Sequence, residues 1–278
     1  MSLLSPSRLR VALTPGAVIL VRTRGLLKQE VADARILVVE STESGKPWED
    51  ALGTLKTGLA AFAARGESLT VLVSNHFSHY TLLPALASLS NSDEDAAFAR
   101  YTFREVFGEG AAGWTIRVSG DSPNVPRVAS AIDEALLQGL RRCANDAGLK
   151  LASVQPFLMA AFNAWIGQLP TAPTWLALYE PGRLCICLCV GGELRSVRGC
   201  PAGDTWRTEL PLLLDREARL QELDGDAIPT GALVFHPSQP VQGLARSLGD
   251  GLTPLGIAPH TMPDNIRIQD IAMALVGL

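Results

Sequence analysis

Thr174–Cys200 reads TWLALYEPGRLCICLCVGGELRSVRGC, three short apolar runs separated by two turn signals. The first turn, Glu180-Pro181-Gly182, pairs a proline that presets φ with a glycine that supplies the positive φ a hairpin needs. Gly191-Gly192-Glu193 is the second. Between them Cys185, Cys187 and Cys189 alternate with Ile186, Leu188 and Val190. Both faces of that middle run are apolar, as expected of a strand buried inside a sheet, so this stretch predicts a core antiparallel triple.

The chain has 278 residues, 47% hydrophobic and 19% charged. That is long enough, and apolar enough, for two packed cores. A net charge of −4 with scattered arginines leaves no electrostatic footprint for nucleic acid or an anionic membrane surface, and both partners are rejected. Five cysteines are an odd number in a chain of this size. They do not read as a disulfide framework, and a reducing cytosol is the simpler compartment. No apolar run reaches the roughly 18 residues of a spanning helix, so no direct membrane insertion is expected. Val11–Val21 after Arg8 and Arg10 resembles a signal sequence, but Pro15-Gly16 interrupts it and no small-residue cleavage site follows. A β-hairpin is the better reading.

In chain order, Leu9–Leu13 and Ala17–Arg22 predict that hairpin about Thr14-Pro15-Gly16, and Ala34–Val39 a third strand. Pro47 opens a helix with Glu49 and Asp50 in its first turn and an apolar stripe of Trp48, Leu52, Leu55, Leu59 and Phe62. Leu69–Val73 is a fourth strand. Asn75–Val125 departs from the pattern, with a polar loop over Ser90–Asp95, a helix from about Asp93 to Phe107 and a strand over Trp114–Val118. It reads as an insertion. The pattern resumes with a strand near Arg127–Ile132, a helix from the N-cap Asp133 to Gly148, a strand over Leu149–Val154 and a helix over Pro156–Ile166.

The second half repeats this order. After the triple over Trp175–Val197 come a helical region over Asp204–Leu223, which Pro211 is expected to kink or divide, and a strand over Ala232–Phe235. Gln239–Leu248 predicts a helix, Thr253–Ile257 a last strand, and Ile266–Val276 a helix with Ile268, Ile271, Ala272 and Leu275 on one face. Without the insertion both halves read β-β-β-α-β-α-β-α, an internal repeat on the scale of a domain. The fold class is therefore α/β, with two mixed-sheet domains, residues 1–170 and 171–278, and an insertion of about 76–125 in the first.

Two copies of that order resemble the duplicated ribonuclease-H-like fold of the actin superfamily. The run AGLKLASVQPF over Ala147–Phe157, followed by a helix and the Thr174–Gly199 triple, is similar to type IV pilus assembly proteins of the PilM kind. It also resembles MSHA biogenesis proteins and the cytoplasmic domain of the type II secretion L component. The resemblance covers most of the chain in element order, with sharp residue matches confined to Ala147–Gly199. Relatives that bind ATP clamp its phosphates between two hairpin turns, each with an acidic residue and a glycine.

Here the first turn carries Thr14 and Gly16 without a carboxylate, and its Pro15 has no N–H. The second keeps Glu180 and Gly182 but again inserts a proline. The glycine pair expected after Ala232–Phe235 is replaced by a stretch that includes His236 and Gln239. The resemblance thus implies a vestigial nucleotide cleft at Thr14, Gly16, Glu180, Gly182, His236 and Gln239, with no cofactor expected and Mg-ATP as the alternative.

Glu43-Ser44-Gly45-Lys46-Pro47 has part of a P-loop, but lacks the leading glycine and places proline where Ser or Thr would bind magnesium. Cys185, Cys187 and Cys189 stand about 7 Å apart per step along a strand, too wide for one zinc at about 2.3 Å per bond. They read as small buried hydrophobes. Asn75-His76-Phe77-Ser78-His79-Tyr80 is the notable polar cluster, placed where a strand ends and the insertion begins. Three readings stand: hydrogen bonds that hold the strand exit, a partner groove at Asn75, His76, His79 and Tyr80, or a small-molecule enzyme using His76 and His79. In the pilus proteins resembled here, a groove beside the insertion receives a peptide from an inner-membrane partner.

The expected function is a non-catalytic, cytoplasmic scaffold of a pilus or secretion-like assembly, peripheral to the inner membrane through that partner. Oligomeric state is left open, and the rivals are a working actin-like ATPase and the histidine enzyme. No catalytic residue and no metal ligand is assigned.

Overall fold

The computed structural model describes residues 7–25, 29–42, 45–85, 92–120, 125–258 and 260–278. Glu43 and Ser44, and much of the polar loop before Asp93, lie outside them. The first strands are β1 (Arg8–Leu13), β2 (Ala17–Arg24) and β3 (Glu30–Val38), followed by α1 (Pro47–Phe62) and β4 (Ser68–Val73). β5 (Ser78–Leu83), α2 (Ser92–Phe107), β6 (Trp114–Val118) and β7 (Arg127–Asp133) come next, then α3 (Glu134–Asp146), β8 (Lys150–Pro156) and α4 (Phe157–Trp165). The remainder is β9 (Thr174–Glu180), β10 (Gly182–Val190), β11 (Glu193–Ala202), α5 (Trp206–Leu220), β12 (Ala232–Phe235), α6 (Val241–Ser247), β13 (Leu252–Pro254) and α7 (Ile268–Leu275).

Two five-stranded sheets share one topology. The first runs β3-β2-β1-β4-β8 and the second β11-β10-β9-β12-β13. In each, the first three strands pair antiparallel and the last two add in parallel. The chain is thus a duplicated mixed-sheet α/β protein, as the repeated element order predicts. The described residues form two compact units. One comprises those of Met1–Ser78, Asp133–Ala164 and Ile257–Leu278, the other His79–Ile132 and Trp165–Gly256.

In the first unit, Val11 pairs with Leu20, and Leu20 and Leu37 approach Gly58 of α1 so closely that a Cβ there would lie 2.4 Å from Leu37 Cδ1. Arg10 and Ala12 therefore point to the opposite sheet face. That face receives α7, which contacts β2, β1 and β3. Arg10 holds the end of α7, its Nε donating to the Ala274 carbonyl at 2.8 Å and its Nη2 to that of Val276 at 2.5 Å. Val31 N also donates to Thr261 O at 3.0 Å. The last helix, read from sequence as the end of the second repeat, packs on the first sheet. Its apolar stripe specified a buried face, not which sheet buries it.

Asp133 caps α3 as expected, its Oδ1 accepting from Ala135 N at 2.8 Å, while Oδ2 binds Lys46. Glu67, 5% exposed, accepts from Arg22 Nε, Ser7 Oγ and Ala64 N. Burial acts to raise its pKa, but these hydrogen bonds and the Arg22 charge outweigh it and hold the carboxyl below its ordinary 4.5. A depressed carboxylate contributes stability above its unfolded pKa and loses it as pH falls through the folded value. Stability is therefore expected to decline on acidification below about pH 4.5. Glu67→Gln should be less stable at pH 7 and flatter in that window, and equal slopes in denaturant titrations of both proteins would refute the assignment.

The inserted elements form a three-stranded sheet in the order β5-β7-β6. β7 is read from sequence as the strand after the insertion, but it is the middle strand of this sheet. Six of its seven residues are buried, which suits a central position. Leu83, Ala99, Phe103, Ala111, Ala129 and Ala131 form its core. Arg127 on β7, itself buried, grips Asp95 in the first turn of α2 through both Nη atoms. α5 runs unbroken through Pro211. The helix is thus not divided there, although the proline forgoes the bond to Arg207 O and its ring crowds that carbonyl.

Candidate functional site

In the second unit, β9, β11 and β12 all end on the same side of the sheet, the side on which open α/β sheets place their ligand crevice. Three predicted residues meet there on separate elements: Glu180 closing β9, Gly182 opening β10, and His236 following β12. Glu180 and Arg183 pair across a two-residue turn in which Pro181 fixes one φ and Gly182 takes +84°, a type II combination. Glu180 is only 2% exposed. Proline contributes no N–H at the position where an anion-binding turn would present one.

His236 does not face an open cradle. Its ring stacks on Tyr179, with centroids 4.7 Å apart, and Tyr179 stacks on Trp206 at 4.6 Å. His236 and Trp206 centroids are 6.0 Å apart, completing a closed aromatic triangle. Tyr179 arrives here because it shares a sheet face with Trp175 and Ala177, the face that packs against α5. Trp206, 1% exposed, is the first residue of that helix. The Arg207 guanidinium lies 4.7 Å from the Trp206 ring centroid, and its Nε donates to Ser247 Oγ at 3.2 Å. Gln239 N donates to His236 O at 3.4 Å, and its buried Oε1 has no hydrogen-bond partner among the described residues.

Burial pushes the His236 pKa down to about 4, aided by the charge of Arg207. The neutral ring accepts from Ser238 N through Nδ1 at 3.2 Å. Because the unfolded chain takes up this proton near 6.5 and the folded chain only near 4, stability is expected to fall as pH drops through that interval. His236→Phe should remove that part of the dependence in urea titrations at pH 7, 6 and 5. An unchanged slope would show that the ring titrates normally.

The corresponding turn of the first unit is also self-contained. Thr14 Oγ1 donates to Ala17 O at 2.8 Å and accepts from Ala17 N at 3.0 Å, while Gly16 O accepts from Val39 N. The P-loop-like Lys46 is held by Asp133 and lies 5.6 Å from the Trp48 ring centroid.

The polar stretch after β4 splits into two roles. Ser74 O accepts from Phe77 N, Ser74 Oγ from His76 N, and Ser78 Oγ donates to Val73 O. Asn75 Oδ1 accepts from Leu158 N at 3.2 Å, satisfying a donor in the first turn of α4. His79 instead stacks on Trp114 of the inserted sheet, centroids 3.8 Å apart and planes within 7°, with Phe107 edge-on at 5.3 Å. Tyr80 is buried on β5. Among the described residues no three His, Cys, Asp or Glu side chains converge to hold a metal. Burial raises the thiol pKa of Cys187, and that of Cys189 to about 12, which keeps both protonated.

His236 was legible as a departure from an expected glycine. Tyr179 and Trp206 were missed, because nothing in their local spacing links a strand end to a helix start 27 residues later.

Set beside solved structures, the chain resembles several over nearly its full length, among them the following. A chain of the PilM-PilN type IV pilus biogenesis complex overlays with a TM-score of 0.69 at 11% identity, covering 97% of this chain and 96% of that one. A Bacteroides thetaiotaomicron protein with actin-like ATPase fold and unknown function gives 0.59 at 10% identity, covering 98% and 96%. The chain has the actin-like ATPase fold. The cytoplasmic domain of EpsL, an inner membrane component of the type II secretion system of Vibrio cholerae, also overlays, at 0.58 and 11% identity over 96% and 94%. No protein-family model and no curated protein sequence matches the chain. No helix among the described residues is long and apolar enough to cross a membrane.

Proposed function

We propose that this actin-like-fold protein is a non-catalytic scaffold of a type IV pilus or type II secretion-like assembly. It binds a peptide segment of an inner-membrane partner and thereby sits on the cytoplasmic side of that membrane. The likeness that carries this reading is the end-to-end overlay on a chain of the PilM-PilN complex, in which 97% of this chain finds a counterpart. The stacked Tyr179, Trp206 and His236 rings support the absence of turnover, because they occupy the strand ends where a nucleotide would have to enter the second unit.

The test has two arms. Isothermal titration with Mg-ATP should give no heat of binding at millimolar nucleotide, and crosslinking in cells followed by membrane fractionation should recover an inner-membrane assembly protein. Micromolar nucleotide affinity, with hydrolysis lost in Glu180→Ala, would replace the scaffold with a working ATPase.

A further inference from the structure

An open sheet edge is a row of unpaired N–H and C=O groups, and folded chains protect theirs with proline, lysine, glycine or brevity. Among the described strands, the edges are β3 and β8, β11 and β13, and β5 and β6. β8 begins on Lys150 and ends on Pro156, and β11 carries Gly199 and Pro201. β13 spans three residues, β6 five and β5 six. β3 has none of these protections. It runs for nine residues, and EVADARILVV over Glu30–Val39 contains no proline, lysine or glycine. Its start alone is covered, where Val31 N donates to Thr261 O, and its one irregularity against β2 lies at that same end.

Alternate residues of an antiparallel strand turn their backbone groups to opposite edges. Val39 N donates to Gly16 O on the β2 side, so Leu37 and Arg35 face β2 as well. Ala34, Ile36 and Val38 therefore turn N–H and C=O outward. Among the described residues, nothing bonds to them there. The side chains of the same three residues share one sheet face, continuing Ile19 and Ala17 of β2, which lie opposite Ile36 and Val38. Ile36 is 47% exposed and Val38 76%. Open backbone and uncovered apolar side chains thus coincide.

We infer that this edge pairs with the same edge of a second copy of the chain, antiparallel about a two-fold axis through Ile36. That register sets Ile36 on its symmetry mate and Ala34 against Val38 on either side, small against large. The three outward residues of each copy then make about six backbone hydrogen bonds. Neighbouring registers are excluded by the residues themselves. An axis at Ala34 drives Leu37 into the end covered by Thr261, one at Arg35 sets two guanidinium groups against each other, and one at Leu37 puts Glu40 on Ala34. With the axis at Ile36, Asp33 meets Val39 and Arg35 meets Leu37. No like charges stand opposite, and the paired stretch Asp33–Val39 is itself neutral. Seven residues span about 23 Å, small against a standard interface, so the dimer is weak and concentration-dependent. This pairing goes beyond the scaffold reading and stands without it.

Sedimentation equilibrium of the full chain should show the average mass rising from one chain toward two between micromolar and submillimolar protein. Ile36→Lys opposes two ammonium groups at the axis and should raise the dissociation constant about tenfold. Val38→Pro removes an outward N–H that β2 does not use, a place where an edge strand tolerates proline, and should weaken association too. Cysteine reports the register. Ile36→Cys should crosslink to its mate under mild oxidation, whereas Ala34→Cys, about 13 Å from its own mate, should stay uncrosslinked, as should wild type.

A thermal melt confirms folding of each variant; if one charge or proline variant fails to fold the other decides, and the Ile36→Cys crosslink decides if both fail. A chain that stays monomeric across the range overturns the assignment. So does association unchanged in a folded Ile36→Lys or Val38→Pro, or crosslinking through Ala34→Cys rather than Ile36→Cys.

Discussion

Alanine in place of Trp206 is expected to cost about 3–5 kcal/mol of stability, the range for deleting a large buried aromatic. Trp206 is among the largest fully buried side chains and touches both sheet and helix components of the second core. The loss combines removed apolar contact, an unfilled cavity and the broken stack with Tyr179. The melting temperature should fall on the order of 10 °C. His236 is a second readout, because its pKa of about 4 depends first on burial. With Trp206 gone, water reaches the ring and the value should climb toward the ordinary 6.5, measured by NMR titration. A loss below about 1 kcal/mol, with the His236 titration unmoved, would mean the stack does not hold this end of the second unit together.

The second large effect is expected at Arg10. Burial pushes its pKa down to about 10, so the guanidinium is still charged at neutral pH, and it satisfies two carbonyls at the C-terminal end of α7. The end of a helix carries orphan carbonyls and partial negative charge, which a buried cation offsets. Arg10→Ala leaves both acceptors without this donor and is expected to cost about 3 kcal/mol. Lysine retains the charge but cannot span two acceptors with a planar fork, so Arg10→Lys should fall between. The direct measurement is limited proteolysis, with cleavage expected within Ile257–Arg267 in the alanine variant and little in wild type. Resistance of that segment in Arg10→Ala would show that α7 is held by its apolar face alone.

Much of this architecture was legible in the residues. Alternation in Leu184–Val190 announced a strand buried on both faces, Pro181-Gly182 and Gly191-Gly192 announced its turns, and Asp133 announced the start of α3. Gly191 and Gly192 take φ of +61° and +79°, the two positive values of a type I′ turn. The departures from an ATP-binding pattern were visible as single residues: Pro15, Pro181 and the loop holding His236. What replaced that pattern was not. A histidine where the resemblance implied a glycine names no neighbours, and only the packed structure supplies the Tyr179 and Trp206 rings around it. His79 shows the same limit from the other side. Beside His76 it read as polar chemistry, whereas in space its neighbours are Trp114 and Phe107.

The sequence by itself determined the element order, its repetition, and the turns that make each sheet begin with an antiparallel triple. Those properties are local, set by side-chain period and by the φ that proline and glycine allow. Tertiary structure alone decided that β7 completes the inserted sheet, that α7 returns to the first sheet under Arg10, and that three rings from distant segments close the strand ends of the second unit. An apolar stripe or an alternating strand encodes that a face is buried, and the identity of the covering surface emerges only when distant segments compete to cover it.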